Sequence, residues 1–153
     1  MASGVRDVRA GEGVTIVEPS NVYECELGDG CFVGPFVEIQ RGVRIGARTR
    51  IQSHAFVCEL VTIGADCFIG HGVVFVNDTF AIGGPASGRQ SLWRSTTIGD
   101  NVSIGSNATI MPVRICPRTV IGAGAVVTRD IDLPGVYAGN PARRLRDLMQ
   151  VEK

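Results

Sequence analysis

Residues 27–75 read LGDGCFVGPFVEIQRGVRIGARTRIQSHAFVCELVTIGADCFIGHGVVF. Within this stretch Leu27, Val33, Ile39, Ile45, Ile51, Val57, Ile63, Ile69 and Phe75 recur at every sixth position without a gap. Six is not a multiple of 3.6, so a helix would scatter these residues around its axis. A repeating strand–turn–strand unit keeps them on one side. The fourth residue after each anchor is small or β-branched, as at Cys31, Val37, Val43, Thr49, Ala55, Val61, Cys67 and Val73. Gly follows the anchor at Gly28, Gly34, Gly46, Gly64 and Gly70. The reading is an inward-pointing anchor, a small residue beside it, and a turn. Strands of a sandwich are not spaced by an invariant six.

Outward from this stretch the period resumes at Ile98, Ile104 and Ile110. It shortens once to five at Ile115, then continues through Ile121 and Val127. The composition agrees with such a solenoid. Hydrophobic residues make up 44% of the 153-residue chain but aromatics only 6%, so the core must be aliphatic. The formal net charge is zero, which indicates neither a nucleic-acid partner nor an anionic membrane surface. Five cysteines, an odd number with no Cys-x-x-Cys pair, point to reduced structural thiols in a cytoplasmic protein. No run of about 18 apolar residues occurs, so no membrane span is expected. One domain over 1–153 is expected, with the repeat over about 14–133.

Two segments break the period. Residues 79–96, TFAIGGPASGRQSLWRST, form a long insertion carrying Phe80 and Trp93, and a loop of this length in a compact domain is usually functional. The tail, residues 134–153, carries GNPA at Gly139–Ala142. ARRLRDLMQVEK then reads as a short capping helix with Leu145 and Leu148 on one face. In an 18-residue coil, His54 stacks on Gly72, His71 on Ser53, and Asn77 on Glu59 and Arg41. The two histidines therefore share one corner in adjacent coils. No Ser or Cys has an evident base partner in the sequence.

The repeat resembles the left-handed parallel β-helix of hexapeptide-repeat acyltransferases, in which three hexads make one triangular coil. The runs FIGHGVVFVNDTF, SLWRSTTIG, NVSIGSNATIMPV, VIGAGAVVTRDI and YAGNPARRLR narrow the resemblance to bacterial N-acetyltransferases acting on nucleotide-linked amino sugars. That resemblance implies a homotrimer using acetyl-CoA, with active sites between subunits and no metal, serving cell-surface polysaccharide or lipopolysaccharide synthesis. It implies acceptor-binding roles for Asn77, Asp78, Glu59 and Trp93. It places the cofactor along Gly105, Ser106, Gly122 and Ala123, with its adenine end near Asn140, Pro141, Arg143 and Arg144. The general base is expected at His54 first and His71 second; many relatives have Pro where His71 stands. The alternatives are an O-acetyltransferase acting on a sugar or small alcohol, a three-histidine zinc enzyme of the same fold, and a non-catalytic scaffold. Two histidines do not suffice for the zinc site.

Overall fold

The computed structural model describes residues 4–149. It is a left-handed parallel β-helix with three flat faces. The first face stacks seven strands, from Val5–Arg6 to Val126–Val127. The second stacks six, from Arg9–Ala10 to Arg114–Ile115. The third stacks eight, from Thr15–Ile16 to Arg143–Arg146. Strands thus also precede residue 14. Register is exact to the hexad: Val33 pairs with Ile51, Ile51 with Ile69, and Ile69 with Ile104.

The anchors form the interior. Ile39, Ile51, Ile69, Ile104 and Ile110 are fully buried, each side chain contributing about 1.5–3 kcal/mol by leaving water. The small fourth residues have a second use. At one corner, Thr49 Oγ1 donates to the Gly64 carbonyl at 2.8 Å, Cys31 Sγ to Gly46 O at 3.1 Å, and Cys67 Sγ to Gly99 O at 3.1 Å. The coil above therefore finds a donor in the coil below. Coils lie about 4.8 Å apart, and this spacing dictates the glycines after the anchors. A Cβ on Gly46 would sit 2.5 Å from the Ala65 nitrogen. Turning the chain at each corner takes one left-handed residue: Phe36, His54, Gly72, Asn107 and Gly124 occupy this role in one column, with φ between 60° and 69°.

Both interruptions differ from the sequence expectation in detail. Thr96 is buried and already belongs to the strand Thr96–Ile98, so the excursion between faces runs from 76 to 95, with a single 3-10 turn at Gln90–Leu92. The excursion leaves the stacking intact, because Ile63 pairs directly with Ile98. The short step at Ile110–Ile115 lacks a left-handed residue among those described and still delivers Ile115 above Ile98.

The expected C-terminal helix is replaced by a strand. Arg143–Arg146 runs antiparallel to Val136–Ala138, and Leu145 and Leu148 are exposed. The last coil presents a row of unpaired backbone N–H and C=O groups. The Gly139–Pro141 turn sends the chain back along that row, where a strand satisfies it and a helix would not. The final four residues of the expected helix lie outside the described residues. Among the described residues no helix is long and apolar enough to cross a membrane.

Candidate active site

Two edges of the prism gather the residues singled out above. The edge where the first face turns to the second carries the 76–95 excursion and is called the loop edge. Here Gln40, Phe56, Glu59, Val74, Asn77, Asp78, Phe80 and Trp93 line a pocket of about 390 Å³. All four expected acceptor residues, Glu59, Asn77, Asp78 and Trp93, are therefore in one place. Gln40, Phe56, Val74 and Phe80 join them. The same 18-residue offset that stacked Asn77 on Glu59 places Gln40, Phe56 and Val74 beside them.

The polar groups of this pocket are not equivalent. Asn77 Nδ2 donates to the Glu59 carbonyl at 3.2 Å, which fixes the amide orientation because a carbonyl accepts only from the NH₂ side. Asn77 Oδ1 has no partner among the described residues. Arg41, stacked below Glu59, turns instead to Glu24, its Nε 2.5 Å from Oε2. The Glu59 carboxylate therefore makes no hydrogen bond or ion pair among the described residues. Asp78 is fully committed: its Oδ1 accepts from Phe80 N at 3.0 Å and its Oδ2 from Ala86 N at 2.7 Å. Asp78 organises the loop, and Glu59 and Asn77 face the cavity. The Cys58 thiol also borders the pocket, and burial pushes its pKa up to about 12. It is a neutral wall group at ordinary pH.

The second edge, between the third face and the first, is the histidine edge. Ser53–His54, His71–Gly72, Ser106–Asn107 and Ala123–Gly124 follow one another up it. They are joined by Gly72 N to Ser53 O at 3.0 Å, Asn107 N to His71 O at 2.8 Å and Gly124 N to Ser106 O at 2.8 Å. The Gly139–Pro141 turn continues the edge above Ala123, where Val126 N donates to Gly139 O at 2.9 Å. Both histidines and six of the expected cofactor residues thus share a single edge.

Their environments differ. The exposed His54 ring lies on Phe36 with centroids 4.9 Å apart, and among the described residues neither of its nitrogens has a hydrogen bond. His71 Nδ1 lies 2.9 Å from Ser53 Oγ, so one serine does have a histidine partner, contrary to the sequence expectation. The glycines here answer first to packing. A Cβ on Gly105 would meet the Ala123 nitrogen at 2.4 Å, so it is Ser106 and the exposed Ala123 that shape the outer surface. At the top, Arg144 is engaged by Asp147 and donates to Pro134 O at 3.0 Å. Arg143 is exposed and has no acidic partner among the described residues.

Residues 24–59 match the bacterial transferase hexapeptide family (six repeats), and residues 95–129 match the hexapeptide repeat of succinyl-transferase. The chain thus carries transferase-type hexapeptide repeats in two separate stretches. Among solved structures it is similar to a mutant of perosamine N-acetyltransferase from Caulobacter crescentus in complex with CoA and GDP-perosamine. The identity is 26% and the TM-score 0.73, covering 88% of this chain and 57% of that one. It is also similar to a hexapeptide-repeat-containing acetyltransferase from Vibrio cholerae complexed with acetyl coenzyme A. Here the identity is 29% and the TM-score 0.69, covering 84% and 73% of the two chains. Among curated relatives, the bifunctional protein GlmU of Acidithiobacillus ferrooxidans is 28% identical over 152 residues, which is 92% of this chain. The chain spans about a third of the length of that relative, 32%.

Proposed function

We propose that this protein is an acetyl-CoA-dependent N-acetyltransferase acting on the amino group of a nucleotide-linked deoxyamino sugar, in the cytoplasm and for cell-surface glycan synthesis. The observation that carries the reading is the pair of uncommitted acceptors, Asn77 Oδ1 and the Glu59 carboxylate, in a pocket walled by Phe56, Phe80 and Trp93. A protonated sugar amine has several N–H donors and a positive charge, and it suits two such acceptors better than a hydroxyl does. The aromatic walls suit the apolar face of a sugar or a nucleobase. The similarity to an N-acetyltransferase crystallised with a nucleotide sugar supports the same reading.

The chemistry is attack of the neutral amine on the thioester carbonyl. A C–N bond forms, the C–S bond breaks, and coenzyme A leaves as its thiol after taking a proton. A base that removes the amine proton typically contributes about 10²- to 10⁴-fold, and the histidine edge holds the two imidazoles available for it. The tetrahedral oxyanion needs a backbone N–H, which a coil corner supplies. Acetyl-CoA would run up the histidine edge past Ser106 and Ala123 towards Asn140, Pro141 and Arg143.

The pocket and the histidines lie on different edges of one chain. His71 and Asn77 are six residues apart across the first face, up to about 20 Å of extended chain. A homotrimer that sets the histidine edge of one copy against the loop edge of its neighbour closes this gap. The deciding experiment is a panel of nucleotide-linked amino sugars with acetyl-CoA, read by thiol release and run beside the matching hydroxyl sugars. Turnover confined to the amino sugars supports the reading. Turnover of the hydroxyl sugars alone replaces it with the O-acetyltransferase.

A further inference from the structure

The contact between Ser53 and His71 joins a half-buried serine to an exposed histidine on the next coil, at 2.9 Å between Oγ and Nδ1. It turns the Nδ1 edge of the imidazole down onto the coil below. Nε2, which has no partner among the described residues, is the nitrogen presented outwards. His71 stands one coil below Ser106, where the small-residue stretch of the edge begins. His54 has no such fixing contact, only the face of Phe36.

Resting on the acetyltransferase reading, we propose that Ser53 is the positioning residue that makes His71, rather than His54, the general base. In this arrangement Nδ1–H donates to Ser53 Oγ and the Nε2 lone pair receives the amine proton. A hydroxyl suits this role physically. The imidazolium formed after proton transfer carries N–H on both nitrogens, so the Nδ1–H to Oγ bond persists in both protonation states without rearrangement. The reverse bond, Oγ–H to Nδ1, would leave the proton on Nε2 and would break each time the ring is protonated. The serine hydroxyl, able to accept as well as donate, thus supports the Nδ1–H tautomer throughout the proton transfer, much as outer partners do for ligating histidines.

The first test needs no substrate. The protein is labelled with ¹⁵N-histidine and its two imidazoles are distinguished by the H71Q variant. The nitrogen shifts of neutral His71 should report the Nδ1–H tautomer, and Ser53→Ala should move them towards Nε2–H. An Nε2–H tautomer in the wild type, or no change in the variant, overturns the proposal. The second test is kinetic. Ser53→Ala should lower kcat by about 10- to 100-fold with both KM values unchanged, and Ser53→Thr, which keeps the hydroxyl, should recover most of it. A loss in Ser53→Ala expressed only in KM, or absent, also overturns the proposal. Failure of the acceptor panel would leave the tautomer measurement standing, so the two readings fail separately.

Discussion

Asn77 commits its amide nitrogen to the Glu59 carbonyl and leaves its oxygen facing the pocket, so one residue is both a coil fastener and an acceptor. A hydrogen bond to a charged donor contributes about 1.5–3 kcal/mol, or about 10- to 150-fold in affinity. Asn77→Ala should therefore raise KM for the amino sugar by a factor in that range while KM for acetyl-CoA stays within about twofold of wild type. The reverse pattern in steady-state kinetics would remove Asn77 from the acceptor site. A different residue-scale consequence follows from the buried thiols. Burial pushes the Cys25 thiol up to about 11 and the Cys58 thiol up to about 12, from the ordinary thiol value of 9.0. Between these values the unfolded chain has lost protons that the folded chain keeps, so stability falls as pH rises above about 9. The urea midpoint should drop between pH 8 and pH 10.5, and the drop should shrink in a Cys25→Ala, Cys58→Ala double variant. An equal slope in both proteins would assign the effect to other groups.

The strands are two to four residues long and have little stability of their own, so the elements that carry specificity are those that leave the stack. Asp78 holds the start of the excursion through Phe80 N and Ala86 N, which bends residues 79–86 back over the pocket and places Phe80 on its wall. Two hydrogen bonds to a carboxylate, at about 1.5–3 kcal/mol each, keep this segment closed. In Asp78→Ala the loop should open locally, with tryptic cleavage after the exposed Arg89 at least about tenfold faster and little change in the thermal midpoint. Unchanged cleavage would show that the loop is held by other contacts. The coil register was legible in the sequence because a six-residue period has one physical solution, and the stacking of Asn77 on Glu59 followed from the 18-residue offset, whereas Trp93, in the aperiodic loop, was expected beside them only from the family resemblance. Asp78 was legible as a pocket residue but not as a loop clamp, since its partners are backbone groups up to eight residues away in an aperiodic segment. The tail failed for a related reason. Leu145 and Leu148 carry a helical spacing, but the open edge of Val136–Ala138 offered backbone pairing, and three-dimensional context overrode the local pattern.

At the scale of the whole molecule, the open question is which copy supplies which half of the site. The loop edge and the histidine edge are separated by the first face in a single chain, so neighbouring copies must combine them if both act on one substrate. Closed threefold symmetry would then give three equivalent sites, each with Asn77 from one protomer and His71 from the next. This arrangement makes a prediction that a single-chain site does not. Assayed at amino-sugar concentrations well below KM, Asn77→Ala and His71→Ala should each be nearly inactive as pure proteins. When the two are coexpressed with different tags and assembled at random, every mixed ring contains one junction at which both residues are intact. Activity should then return to about a quarter of wild type at equal expression, and it should copurify with species carrying both tags. If mixed rings form, by tag pull-down and sedimentation, yet show no activity above the parents, Asn77 and His71 act within one chain. The excursion would then have to fold across the first face to bring them together. If the protein sediments as a monomer at assay concentrations and is active there, the shared site is wrong in the same way. Recovery in mixed rings alone ties the two edges into one active site and gives the trimer a chemical reason to exist.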